Sequence, residues 1–123
     1  MAENILHTKS LDFAVRIVNL SRYLTQERNE HVLYKQILRS GTSIGANVSE
    51  TINAQSYADF ISKMNIALKE ADETKYWLEL LNRTNYISDE IYESLLKDCR
   101  ELAKMLNSIV KTSKENRDAT KRK

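Results

Sequence analysis

The sequence predicts an all-α protein, an antiparallel four-helix bundle with up-down-up-down connections. The chain has no proline and only two glycines in 123 residues, a composition that disfavours turn-rich sheet folds. Apolar residues recur at spacings of three and four in four separate segments, which is the period of an amphipathic helix. The breaks between these segments are short and polar, and short connections place consecutive helices side by side in opposite directions.

The first helix is predicted over residues 10–26, and Asn29 in the following break can cap a second helix over residues 30–53. One apolar stripe of the first helix is Phe13, Ile17, Leu20 and Leu24, with Ala14, Val18 and Ser21 widening it. The stripe of the second helix is Leu33, Ile37, Gly41, Ile44, Val48 and Ile52. We expect both stripes to face the core.

The third helix has a clear start, because Ser56 and Asp59 have the spacing of a capping box. Its stripe is Phe60, Met64, Ala67, Ala71, Thr74, Leu78 and Leu81. Ser88 can cap the fourth helix, whose inward residues are Ile91, Leu95, Leu102, Met105 and Ile109. Residues 1–113 therefore form one predicted bundle, and residues 114–123, which lack apolar periodicity, are predicted to be a disordered basic tail.

The formal net charge of +2 is unevenly distributed. Residues 111–123 hold six basic and two acidic residues, so residues 1–110 sum to −2. No window resembles a membrane span or a secretory signal, and Cys99 is the only cysteine. We therefore expect a soluble, cytoplasmic protein without a membrane partner, and a thiol buried in the fourth helix.

Few residues suggest catalysis or a metal site. His7 and His31 both lack a glutamate three residues earlier, so neither fits the di-iron sites of helical bundles. We predict no enzyme activity, cofactor or metal. The rival interpretation is a hydrolase or nuclease that holds a hard metal ion with Glu50, Glu70 and Glu73, but no further acid-base or ligand spacing accompanies these residues.

The two glycines are four residues apart within the second predicted helix. Gly41 and Gly45 therefore lie on one face and can allow another helix backbone to approach closely. The alternative is a local kink in that helix.

A row of polar residues follows the same helix at spacings of four and three. This polar row is Gln36, Ser40, Ser43, Asn47 and Glu50. Spacing alone leaves open whether the row faces water or is buried against another helix, where each of its groups would need a partner.

The third helix carries apolar residues beyond those one core needs. Ile66 and Trp77 lie about 100° from the main stripe, and a tryptophan at that position is either a subunit anchor or a partly covered rim residue. The cations of the tail are either a weak phosphate-binding element or a solubilising end, and no aromatic residue is interleaved with them.

The stretch from Gln36 to Glu50, together with residues 58–61 and 65–71, resembles a bacterial four-helix-bundle family. That family includes proteins encoded in intervening sequences of large-subunit ribosomal RNA genes and the accessory variability determinants of diversity-generating retroelements. Its hallmark is matched by Arg39, Ser43, Ile44, Asn47 and Glu50. The chain departs from it at Gly45, where proline is usual, and at Thr51, where glycine is usual.

The resemblance implies a left-handed bundle that assembles into a homopentamer. In the retroelement branch it also implies an accessory that binds nucleic acid and a reverse transcriptase and has no catalytic activity. It also implies that the polar row is a packed network between helices. The −2 charge of residues 1–110 favours the ribosomal intervening-sequence type over the basic retroelement accessories, which bind a reverse transcriptase and its RNA.

On this basis we expect a self-associating scaffold or an accessory to RNA or DNA. The expected subunit contacts are Ile66, Tyr76 and Trp77. The expected basic surface for nucleic acid is Arg16, Arg22, Lys35 and Arg39.

Overall fold

The computed structural model describes residues 2–121, and within that range the protein is all-α with four helices and no strand. This confirms the all-α, four-helix part of the prediction. The helices are α1 (Ala2–Gln26), α2 (Tyr34–Glu50), α3 (Tyr57–Arg83) and α4 (Asp89–Lys121), with a single 3-10 turn at Thr51–Asn53 after α2.

Each helix packs against two others around one core. α2 lies between α1 and α3, α3 packs on α4, and α4 returns to α1, whereas within residues 2–121 no Cα atom of α1 comes within 8 Å of one in α3. α1 and α3 are therefore diagonal partners. The largest fully buried apolar side chains come from all four helices: Leu6, Phe13, Ile17, Leu24, Ile37, Ile44, Met64, Leu78, Leu81, Leu102 and Leu106.

Two of the predicted helix starts are confirmed by their caps. The Ser56 hydroxyl accepts a hydrogen bond from the Asp59 N–H at 3.1 Å, and the Ser88 hydroxyl accepts one from the Ile91 N–H at 3.2 Å. Both bonds satisfy N–H groups that the first turn of a helix leaves without an intrahelical acceptor.

The start of α2 corrects the sequence prediction. Asn29 is not its cap but adopts a left-handed conformation with φ of 52°. The carboxylate of Glu30, which is only 3% exposed, instead accepts hydrogen bonds from the N–H groups of Val32, Leu33 and Tyr34. A negative charge at this end is also favoured by the helix dipole. Glu30 therefore caps a helix that begins at Tyr34 instead of containing Glu30.

Three further boundaries differ from the prediction. α1 begins at Ala2, eight residues earlier than predicted, and Leu6 extends its apolar stripe into the core. α2 ends at Glu50, so that Ile52, predicted to face inward, is exposed in the 3-10 turn. α4 continues to Lys121 through most of the predicted tail.

The helical conformation of residues 114–121 has a local cause. The segment contains no glycine or proline and is rich in residues of good helix propensity, so the helix continues without an apolar stripe. Nearly all of its side chains are exposed. Arg122 and Lys123 of the predicted tail lie outside the described residues.

The close approach at the two glycines is confirmed, and α2 runs unbroken through both. A Cβ atom on Gly41 would lie 2.7 Å from Ile17 Cγ1, and one on Gly45 would lie 3.3 Å from the Ser10 carbonyl oxygen. α1 and α2 are therefore as close as glycine permits at these two points.

None of the helices in residues 2–121 has an apolar stretch long enough to cross a membrane.

Candidate interaction surfaces

The polar row of α2 is only partly buried. Ser40 is fully buried, and its hydroxyl accepts a hydrogen bond from Thr74 Oγ1 of α3 at 3.0 Å. Ser43 donates to the Arg39 carbonyl at 2.6 Å, and Asn47 donates to the Ser43 carbonyl at 2.8 Å, so both bonds stay within α2.

Gln36 and Glu50, the two ends of the row, are exposed. The packed network between helices that the resemblance implied is therefore reduced to Ser40 within a single chain. The row lies at the edge of the buried face of α2, and only Ser40 is turned far enough inward to reach α3.

An ion-pair cluster joins α2 to α3 beside the tryptophan. Arg39 donates to Glu70 at 3.1 Å and also pairs with Glu73. Glu73 Oε2 accepts a second hydrogen bond from Trp77 Nε1 at 3.0 Å. Tyr76 meets the half-buried Trp77 ring edge-on, with ring centroids 4.9 Å apart. The indole N–H is therefore satisfied within the chain.

The predicted basic surface does not form as one patch. Arg16 donates to Asp98 at 2.7 Å across the α1–α4 contact, and Arg39 is held by its two glutamates. Arg22 and Lys35 are exposed on different helices, and neither has an ion pair within the described part of the chain. Two of the four cations are thus occupied by carboxylates of this chain.

An exposed apolar strip runs along α1, and the sequence prediction missed it. Leu11 is 57% exposed and Val15 is 54% exposed, and Val18, predicted to widen the core stripe, is also exposed. We call these three residues the α1 face. Their spacing of four and three residues is visible in the sequence. It was not predicted as a separate strip because the longer apolar stripe on the opposite side of the helix was assigned to the core.

A second apolar strip follows the outer side of α3. Tyr76 is 58% exposed and Ile66 is exposed, while Trp77 and Leu80 are half-buried beside them. We call these four residues the α3 face. The two faces are separate, because α1 and α3 are diagonal in the bundle.

α4 carries a row of cations of which the sequence prediction included only the last two, Lys111 and Lys114, as part of the basic tail. The α4 basic row consists of five exposed side chains at spacings of three, four, seven and three: Lys97, Arg100, Lys104, Lys111 and Lys114. Within residues 2–121 none of the five has an ion pair.

The carboxylates proposed for a metal-dependent enzyme do not converge. Glu70 and Glu73 hold Arg39, while Glu50 is exposed at the end of α2. Among the residues described, no group of three or more histidine, cysteine, aspartate and glutamate side chains could hold a metal ion.

The lone thiol is placed in the core. Cys99 is fully buried, and its Sγ lies 3.3 Å from the Ala71 carbonyl oxygen. Burial raises the pKa of Cys99 to about 12, and this effect outweighs the influence of Lys75, which favours the thiolate. A thiol in this environment is a poor nucleophile at neutral pH.

A shallow cleft lies where the start of α1, the turn after α2 and the end of α4 meet. Its walls include Glu3, Gln55, Phe60 and Asn116. Every buried side-chain nitrogen and oxygen atom in the described residues has a hydrogen-bond partner. Among the described residues, the cleft therefore contains no buried polar side-chain atom that lacks a partner.

Comparison with known proteins agrees with the fold. The chain is similar to a crystallised protein of unknown function from the S23 ribosomal protein family of Bacteroides thetaiotaomicron. The two are 62% identical, with a TM-score of 0.89, over 90% of this chain and 99% of the other. No curated protein matches the chain. The model of the 23S rRNA-intervening sequence protein family matches residues 2–108, and the chain belongs to that family.

Proposed function

We propose that the protein is a non-catalytic scaffold that assembles with copies of itself and acts as a cytoplasmic accessory to nucleic acid. The observation that carries the proposal is the presence of two separate apolar faces on two helices that are not neighbours in one small bundle. Exposed apolar strips of this kind mark interaction sites in soluble proteins.

Two different faces favour association in which the α1 face of one copy meets the α3 face of the next. Such a contact is heterologous, because the two copies contribute different surfaces to it. Repeating the contact closes a ring when the rotation that relates neighbouring copies is a whole-number fraction of 360°. The α1 face covers about 11 Å of its helix and the α3 face about 21 Å, so an interface of the standard size, roughly 800 Å² per partner, also includes exposed residues that flank both faces. The family resemblance suggests five copies in the ring.

We further propose that the four helices alternate in direction and form a left-handed bundle. The contacts between pairs of helices support this topology. Ser10 and Ile17 of α1 lie against Gly45 and Gly41 of α2, so residue numbers rise in opposite directions along that pair. Lys9 and Arg16 likewise pair with Glu101 and Asp98 of α4, again in reverse order.

The self-association is tested by placing a charge on each face separately. Val15→Glu alters the α1 face and Tyr76→Glu alters the α3 face. Val32→Glu introduces a glutamate at an exposed apolar position outside both faces and is the matched control. Light scattering of each variant is expected to give a monomer for the first two and the wild-type mass for the control.

Mixing the two face variants tests the heterologous arrangement itself. The Val15→Glu chain keeps an intact α3 face and the Tyr76→Glu chain keeps an intact α1 face, so together they form one good contact. The mixture is expected to give a dimer of twice 14.3 kDa that cannot grow further. A mixture that stays monomeric, or face variants that assemble like the control, would overturn the arrangement.

The alternative is an accessory that binds a reverse transcriptase and its RNA in a retroelement. In that case the same faces would be occupied partly by the enzyme. Co-purification with a reverse transcriptase encoded beside the gene supports the alternative when Val15→Glu or Tyr76→Glu abolishes it and Val32→Glu does not.

A further inference from the structure

The outer side of α4 holds a continuous positive charge in a chain of nearly neutral composition. The α4 basic row spans residues 97–114, about 26 Å of helix at 1.5 Å per residue. All five of its side chains are exposed and lie within roughly a third of the helix circumference. The opposite side of α4 is fixed in the core by Leu102 and Leu106. The row is therefore presented on a rigid support.

The charge of this row is not cancelled by an unpaired carboxylate within its own length, and the exposed Glu93 and Glu115 flank its two ends. Between Lys97 and Lys114 the sequence contains two carboxylates, Asp98 and Glu101. Both are turned toward α1, where Asp98 pairs with Arg16 and Glu101 pairs with Lys9. Both carboxylates of this segment are therefore paired with cations of α1, whereas the five cations of the row face solvent without an ion-pair partner in the described part of the chain.

We infer that the α4 basic row is a docking surface for the phosphate backbone of a nucleic-acid duplex. Charge complementarity selects the occupant, because a duplex presents a regular array of phosphates over a length comparable to that of the row. No aromatic residue lies between Lys97 and Lys114, so the row has no platform on which the bases of a single strand could stack. The inference rests on the accessory role proposed above and specifies the surface that would perform it.

The row is tested with a triple substitution and a control of equal charge. Lys97→Gln, Lys104→Gln and Lys111→Gln remove three cations from the row. Arg22→Gln, Lys35→Gln and Arg83→Gln remove three exposed cations elsewhere, including two of those first expected from the sequence. Circular dichroism and light scattering establish that both triple variants keep the fold and mass of the full-length wild type.

Binding is measured by fluorescence anisotropy with labelled RNA and DNA duplexes of about 20 base pairs, starting near 50 mM salt. At that salt each phosphate contact contributes about tenfold in affinity, so the row variant is expected to bind at least 100-fold more weakly. The slope of log affinity against log salt is expected to become shallower by about one unit per lysine removed. The control is expected to retain most of the affinity and slope.

The possible outcomes distinguish failure of the α4 basic row as the binding surface from failure of the proposed accessory role. If the wild type binds a duplex and both triple variants lose affinity equally, the row is not the surface, although the accessory role stands. If the wild type binds neither duplex, both the surface and the role fail. Tighter binding to single strands, or binding only to phosphatidylserine vesicles, would also overturn the inference.

Discussion

Gly41 of α2 lies directly against Ile17 of α1, so closely that a Cβ atom at position 41 would stand 2.7 Å from Cγ1 and 2.9 Å from Cγ2 of the isoleucine. These isoleucine atoms are next to the backbone and cannot swing away as the end of a long side chain could. The glycine is therefore required by the distance between the helices, despite its cost of about 1 kcal/mol in helix propensity.

Gly41→Ala is accordingly expected to lower the free energy of unfolding by about 1–2 kcal/mol. Overpacking costs roughly 1–3 kcal/mol, and the better helix propensity of alanine offsets part of it. Ile17→Ala removes the clashing atoms, so the double variant is expected to lose less stability than the sum of the single variants. Urea denaturation measures the free energy of unfolding of the two single variants and the double variant, with Gln36→Ala as a control at an exposed position. Additive losses would contradict the close contact.

The Glu30 cap gives a second prediction. Glu30→Ala is expected to destabilise the protein by about 2 kcal/mol, because it leaves three N–H groups at the start of α2 without their side-chain acceptor. Glu27→Ala removes a neighbouring exposed carboxylate and is expected to change stability by less than about 0.5 kcal/mol. Equal thermal midpoints for the two variants would show that Glu30 does not cap the helix.

The buried hydroxyl pair between α2 and α3, formed by Ser40 and Thr74, gives a third prediction. Ser40→Ala and Thr74→Val each remove one side of the hydrogen bond and are expected to cost about 1 kcal/mol. The double variant is expected to cost less than the two single changes added together, because the hydrogen bond between the two hydroxyls can be lost only once. Ser43→Ala, whose hydroxyl bonds only within α2, serves as the control.

Cys99 gives a prediction about pH. Burial raises the pKa of Cys99 to about 12 from 9.0, so above about pH 9 the unfolded chain loses a thiol proton that the folded chain keeps. The thiol therefore favours the folded state fully below about pH 9, and this contribution falls as pH rises toward 12. The thermal midpoint is expected to drop less steeply between about pH 8 and 10 in Cys99→Ala than in wild type. Parallel slopes would contradict the assignment.

Those local features that depend on a few adjacent residues could be predicted from the sequence. The caps at Ser56 and Ser88 and the inward stripes follow from spacing alone, and the structure confirms them except at Val18 and Ile52, which are exposed. The start of α2 could not be predicted in this way. Glu30 acts as a cap because the loop buries its carboxylate, and burial is a property of the folded chain.

The candidate surfaces were harder to predict because they depend on pairings between distant residues. Arg16 and Asp98 are 82 residues apart, and no local pattern indicates that one neutralises the other. Which cations remain available is therefore decided by the packing of α1 on α4. The spacing of Lys97, Lys104 and Lys111 was visible in the sequence, but its significance depends on where Asp98 and Glu101 point.

The mass of the wild-type protein in solution tests the central claim most directly. Light scattering at roughly 10 μM chain, near physiological salt, is expected to give a discrete assembly, with five copies of the 14.3 kDa chain as the expected number. A single-chain mass that persists as the concentration is raised would contradict self-assembly through the α1 and α3 faces.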